Sequence, residues 1–197
     1  MTILDSDSSP MNISIADLKV SDNVLTGLDD DNQPKYSKVV SFFHNLPGVK
    51  AKFLRLYTNE NVITLTPRHL ILSKVKSAKD FEFLQAADVK AGDLIKLFNH
   101  SVKGLENVEI IKVEEIELKN SGVYAPLTEN GIIIVDNVQA SCFALVKSHK
   151  LAQLFYSVLN GISTIFYFKS DSYMNISKMM YELVDFLNLK GYFLNLL

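Results

Sequence analysis

Thr66, Pro67, Arg68 and His69 form the group in this chain best suited to chemistry. A hydroxyl and an imidazole three residues apart can activate a peptide bond. One polarises the carbonyl or braces the amide, and the other protonates the leaving nitrogen. They directly follow Val62 to Leu65, a run of strand character. Pro67 has no N–H and a fixed φ, so it should end regular pairing and turn the chain, placing both side chains on a formed edge. Taken alone, the same spacing is structural more often than catalytic. His44, after the apolar run Val39 to Phe43, is a second candidate. An imidazole titrating near ~6.5 is largely neutral at pH 7 and can accept a proton; the other reading is a strand-end histidine. Cys142, the single cysteine, is either a small buried apolar residue or a nucleophile paired with His69. For the second role no orienting acid or nucleophile-bearing helix start is recognisable.

The elements that must position these residues read as β. Val39 to Phe43, Phe53 to Tyr57 and Val62 to Leu65 are short, rich in β-branched and aromatic residues, and separated by turn formers. Asn59-Glu60-Asn61 and Glu129-Asn130-Gly131 have the composition of hairpin turns, and Asp29 to Pro34 that of a polar loop. The pattern Ala-Asp-apolar-Lys-x-small-Asp begins at Ala16 and again at Ala87, an offset of 71 residues. Lys38 to Phe42 falls opposite Glu109 to Val113 at the same offset, and Thr58 to Leu65 opposite Thr128 to Val135 at 70. A shared period over three consecutive elements predicts two copies of one unit, about 16–72 and 87–142, meeting at a pseudo-two-fold site. Ala16 to Val20 and Ala87 to Lys90 should each form one helical turn. After Ala144 the pattern changes. Ser148 to Tyr156 and Tyr173 to Leu189 read as helices, the second with one apolar stripe through Tyr173, Ile176, Met180, Leu183 and Leu187.

Composition narrows the function. A chain of 197 residues, 48% hydrophobic and 21% charged, builds one sizeable core or one core plus an appendage. A net charge of -2, with no Lys/Arg cluster, offers nucleic acid no electrostatic footprint. One cysteine excludes an intrachain disulfide and a cysteine-based zinc site. His44, His69, His100 and His149 lack ligand spacing, so neither a metal nor a cofactor is expected. Residues 1–10 lack the basic and apolar regions of a signal peptide. The tract Leu151 to Phe168 is broken by Gln153, Asn160 and Gly161 and is too polar to span a bilayer.

Thr64 to Leu70, Ser121 to Thr128 and Asp136 to Ala144 together resemble the Hint-type autoprocessing domain at the C-terminal end of hedgehog proteins, a relative of inteins. The Gly-Val-Tyr-Ala-Pro-Leu-Thr and Ala-Ser-Cys-Phe-Ala stretches are similar to the hedgehog branch in particular, and the similarity runs from Thr2 to about Leu154. The resemblance implies an all-β, pseudo-two-fold horseshoe over residues 1–147, with a helical appendage at 148–197 as a sterol-recognition region. It implies self-cleavage by an N-to-S acyl shift assisted by Thr66 and His69, then transfer of the N-terminal fragment to a sterol. The base for that transfer, usually Asp in the family, falls on His44 here. Cys142 would sit near the family's N-terminal cysteine and could form a disulfide with it. The implied partners are a sterol acceptor and the N-terminal signalling fragment of the same precursor. The aromatic residues of the tail suit a sterol or membrane surface, or a plain hydrophobic cap. The implied location is the secretory pathway or the extracellular space.

In that family the nucleophile is a cysteine that opens the domain, followed by Phe, a few residues ahead of a strand matched here by Thr2-Ile3-Leu4. This chain begins with Met1. The expectation is a truncated piece of a larger precursor, inactive as it stands because no thiolate is present to accept the acyl group. The alternatives are a catalytically inactive Hint-fold binding module and a thiol hydrolase using Cys142.

Overall fold

The computed structural model describes residues 1–5 and 7–143; the helices expected at 148–156 and 173–189 lie outside the described residues. Short runs of β-branched and aromatic residues, punctuated by turn formers, give strands throughout. They are β1 (Thr2–Leu4), β2 (Pro10–Asn12), β3 (Asn23–Leu28), β4 (Pro34–Leu46), β5 (Ala51–Tyr57), β6 (Val62–Leu65) and β7 (Leu70–Lys74). After β8 (Glu82–Gln85) the series repeats as β9 (Leu94–Asn99), β10 (Gly104–Glu109), β11 (Lys112–Leu118), β12 (Val123–Thr128), β13 (Ile132–Val135) and β14 (Val138–Ser141). One sheet runs β12-β4-β3-β1-β2 and a second β10-β9-β14-β7-β8 with β13 on β14; β11-β5-β6 form a third. Leu54, Leu56, Ile63, Ile71, Ile95, Ile110 and Val138 bury a common core drawn from both halves of the sequence.

The duplication is visible bond by bond. Single 3-10 turns occupy Ile15–Asp17 and Ala86–Asp88. The Asp22 carboxylate accepts the Lys19 amide at 2.8 Å, and the Asp93 carboxylate accepts the Lys90 amide at 2.9 Å. Ser21 and Gly92 then donate to the carbonyls of Val39 and Ile110, each at 2.8 Å. The ladders start alike, Asn23 opposite Lys38 and Leu94 opposite Glu109. Each of these pairs keeps the 71-residue offset. The recurring Ala-Asp-x-Lys-x-small-Asp pattern is thus the local chemistry of a turn capped by its own carboxylate.

The later strands of each copy exchange partners. By the offset, the far end of β4 corresponds to β11, and β5 to β12. Yet Ser41 of β4 pairs with Leu127 of β12, while Lys112 of β11 pairs with Tyr57 of β5. Each copy therefore finishes its sheet with the other's arm, which brings the two copies to one cleft. The expected hairpin at Asn59 to Asn61 forms, with Tyr57 opposite Val62. At Glu129 to Gly131 the turn closes, Gly131 N–H donating to Thr128 at 3.1 Å. The flanking strands separate, however, β12 to β4 and β13 to β14. Side chains replace the ladder there: Thr128 donates to the Ile132 carbonyl at 2.8 Å, and Asn130 accepts the Ile132 amide at 3.2 Å.

Candidate active site

Between β6 and β7 the chain turns through Thr66 to His69. The His69 amide donates to the Thr66 carbonyl at 3.0 Å, closing a β-turn with Pro67 at its second position, where the fixed φ fits. The Pro67 and His69 carbonyls accept the Ala87 and Ala86 amides, each at 2.9 Å, so the second copy's 3-10 turn pins the site turn. His69 is half-buried. Burial pulls its pKa below the usual imidazole value, and a hydrogen bond to the Ser141 backbone opposes this more weakly. A bond that favours imidazolium is one the ring donates, so Ser141 offers its carbonyl. His69 is therefore neutral at pH 7, with one N–H committed and a lone pair on the other nitrogen.

Cys142 follows Ser141 directly and is fully buried. Its Sγ lies 3.3 Å from Thr128 Oγ1, which is also 2.8 Å from the Ile132 carbonyl and 3.0 Å from Asn130 Oδ1. The last two can only accept, so the single hydroxyl proton goes to one of them and the thiol donates to Thr128. Burial pushes the Cys142 pKa up to about 11, against smaller lowering by the Thr128 bonds. A thiol held protonated as a donor is a poor nucleophile at neutral pH, which removes the main support for a hydrolase using Cys142.

Thr66, His69 and Cys142 line one pocket of about 310 Å³, which Tyr124, Pro126 and Asp136 also line. Aliphatic side chains from β6, β12 and β13 complete it, and Ser14 to Ala16 approach from the start of the chain. Gly122 shapes one side. Its φ is +77°, and a Cβ there would meet the Tyr124 ring at 2.7 Å, so only glycine admits the tyrosine in this position. His44 stands elsewhere. It is half-buried in β4 opposite Ala125, and neither residue lies on the pocket wall, although Tyr124 and Pro126 do. Side chains alternate along β12, so Ala125 and its partner His44 belong to the face opposite Tyr124 and Pro126.

One wall residue was not singled out by sequence reasoning. Asp136 opens the two-residue turn between β13 and β14, with φ +48° there and +65° at Asn137, the left-handed pair of a tight hairpin. Its residue is exposed overall, yet desolvation raises its carboxyl, while the positive amino terminus of the chain lowers it. The signal was available: at the 70-residue offset Asp136 falls on Thr66.

Similarity to known proteins agrees with this geometry. Residues 7–186 match the family model described as Hint module. Warthog protein 1 of Caenorhabditis elegans is 34% identical over 151 residues, covering 76% of this chain and 30% of that protein. Sonic hedgehog protein of Xenopus laevis is 33% identical over 150 residues, covering 74% and 33%. The chain thus spans about a third of the length of these relatives. Among solved structures, an intein from a hyperthermophile superposes with a TM-score of 0.57 at 15% identity, covering 71% of this chain and 94% of the intein. A DnaB intein from Synechocystis sp. PCC 6803 gives 0.53 at 14%, covering 71% and 93%. At that identity the likeness speaks for the fold alone. With its duplicated strands, exchanged arms and matched span, this chain belongs to the Hint module family.

Proposed function

We propose that this chain is the autoprocessing part of a hedgehog-type precursor. The supporting observation is the convergence of Thr66, His69 and Cys142 on one pocket where the two copies meet. In this reading the thiol of a cysteine preceding Met1 adds to the carbonyl on its N-terminal side. The C–S bond forms, the C–N bond breaks, and the thiol proton ends on the released amine. Thr66 polarises the carbonyl, and His69, its ring fixed by Ser141, braces the departing amide through its free ring nitrogen. A sterol hydroxyl then attacks the thioester: the C–O bond forms, the C–S bond breaks, and the alcohol proton passes to the departing sulfur through a base. His44 is the candidate base, acting from outside the pocket wall. Residues 1–147 form the autoprocessing domain and 148–197 the region that presents the sterol or a membrane surface. The partners are the N-terminal fragment and the sterol, in the secretory pathway or outside the cell.

The test places a reporter and a short leader ending in Cys-Phe ahead of the chain, then adds dithiothreitol with and without sterol. Thiol-induced cleavage that is lost in His69→Ala is the expected result. Thiol cleavage that survives in His44→Ala, while sterol-dependent cleavage falls, would support the assigned base; equal loss of both would remove it. Absence of any cleavage in the parent sequence would leave an inactive Hint-fold binding module.

A further inference from the structure

Asp136 has no part in the scheme above, yet the fold puts it at the place that matters. Thr66 is the first residue after β6, and Asp136 is the first residue after β13. The two strands are equivalent under the 70-residue repeat, so the approximate dyad relates these two side chains, and both line the same pocket. The second turn is held as firmly as the first. Asn137 donates to Asn61 Oδ1 at 3.2 Å, and its own Oδ1 lies 3.0 Å from His100 Nε2. The start of the chain reaches the same rim: Met1 pairs with Ile13 through bonds of 3.0 and 2.9 Å, and Ser14 to Ala16 line the pocket. Polypeptide continuing upstream of Met1 would therefore pass close to Asp136.

We propose that Asp136 is a second acid–base residue of this pocket, the dyad counterpart of Thr66, carrying the proton between the attacking thiol and the departing amide nitrogen. The inference rests on the autoprocessing reading. His69 has spent one N–H on Ser141 and has one free ring nitrogen, which braces the departing amide, so a second group has to accept the thiol proton and supply it to nitrogen. A carboxylate can do both in turn. It takes the S–H proton as the C–S bond forms and returns it to nitrogen as the C–N bond breaks, so Asp136 ends as it began. Desolvation that raises its carboxyl toward neutrality makes it the stronger base. The titratable groups that share its pocket are His69 from the first turn, Tyr124 from β12 and Cys142 after β14, and the amino terminus acts on its charge.

Asp136→Asn is the discriminating variant, because asparagine keeps the shape and tolerates a positive φ at least as well. In the leader-bearing protein, thiol-induced cleavage should slow at least about ten-fold. The pH–rate profile should lose one acid-side ionisation and keep that of His69. Cleavage by the parent sequence with an unchanged rate and profile in Asp136→Asn overturns the role of Asp136 and leaves the autoprocessing reading intact. No cleavage by the parent sequence overturns both. Independently, carboxyl NMR titration of the 197-residue chain should find Asp136 above the ordinary aspartate range. A value at or below that range overturns the proposal whatever the cleavage assay gives.

Discussion

The two copies differ most at one corner. In the first, four residues from Thr66 to His69 link β6 to β7, with a proline-led turn that leaves an imidazole half-buried at the pocket. In the second, two residues, Asp136 and Asn137, link β13 to β14 through left-handed backbone. Gln139, the second residue of β14, is buried and donates to the Thr26 carbonyl at 2.9 Å. A Cβ on Gly27 would meet that amide at 2.8 Å. One corner was free to become a reactive group because its longer turn holds the ring at a surface. The shorter turn leads straight into β14, where Gln139 braces the core. Chemistry in this fold is a matter of loop length on a common frame.

Four measurements break or sharpen that contrast, the first having the largest effect. His69→Ala should reduce thiol-induced cleavage in the leader-bearing protein by about a hundred-fold or more, whereas Gln139→Ala should lower stability by about 1–3 kcal/mol and leave the chemistry in place. A comparable rate loss in both would erase the distinction between the copies. The second measurement concerns Cys142, the buried thiol just past β14 in the second copy. The unfolded thiol ionises near ~8.5 and the folded one at about 11. Across that window the unfolded state has already released its proton, so stability falls as pH rises, by up to about 3 kcal/mol. Denaturant titrations from pH 8 upward should show this slope in the parent chain and its absence in Cys142→Ala.

The third measurement concerns the repeated capping aspartates. Asp93 is buried and accepts amides from Lys90 and Lys76, whereas Asp22 is half-buried and accepts one from Lys19. Asp93→Ala should cost about 2 kcal/mol and Asp22→Ala about 1 kcal/mol; equal losses in urea melts would mean the second amide adds nothing. The smallest effect belongs to the pair that ties the exchanged arms, Lys50 to Glu117 at 3.0 Å and about half exposed. Glu117→Gln should shift stability by less than about 1 kcal/mol, and a larger change would show that the arms depend on charge.

What the sequence disclosed follows from which interactions are local. The two Asp-capped turns were legible because each carboxylate bonds an amide three residues away, so the pattern must sit in adjacent residues. The break at Pro67 was legible for the same reason, since the turn closes between Thr66 and His69. Cys142 was placed near the site by resemblance, but its state depends on Thr128, a partner set by folding. The exchange of β4 and β11 between copies left no local trace, because either pairing satisfies the same alternation of residues. Asp136 was overlooked because a turn aspartate is unremarkable until the repeat is laid over Thr66.

The crossed pairing of β4 with β12 and of β11 with β5 makes each copy depend on the other. One unit by itself would extend an arm with bare amides and carbonyls and no strand to receive it. Two identical units could satisfy those groups by trading arms, the way swapped protomers do. A symmetric homodimer of one unit would have this same topology, and joining the two units in one chain leaves each free to differ from its twin. Where a homodimer would bound the cleft with two identical corners, this chain bounds it with two unlike ones.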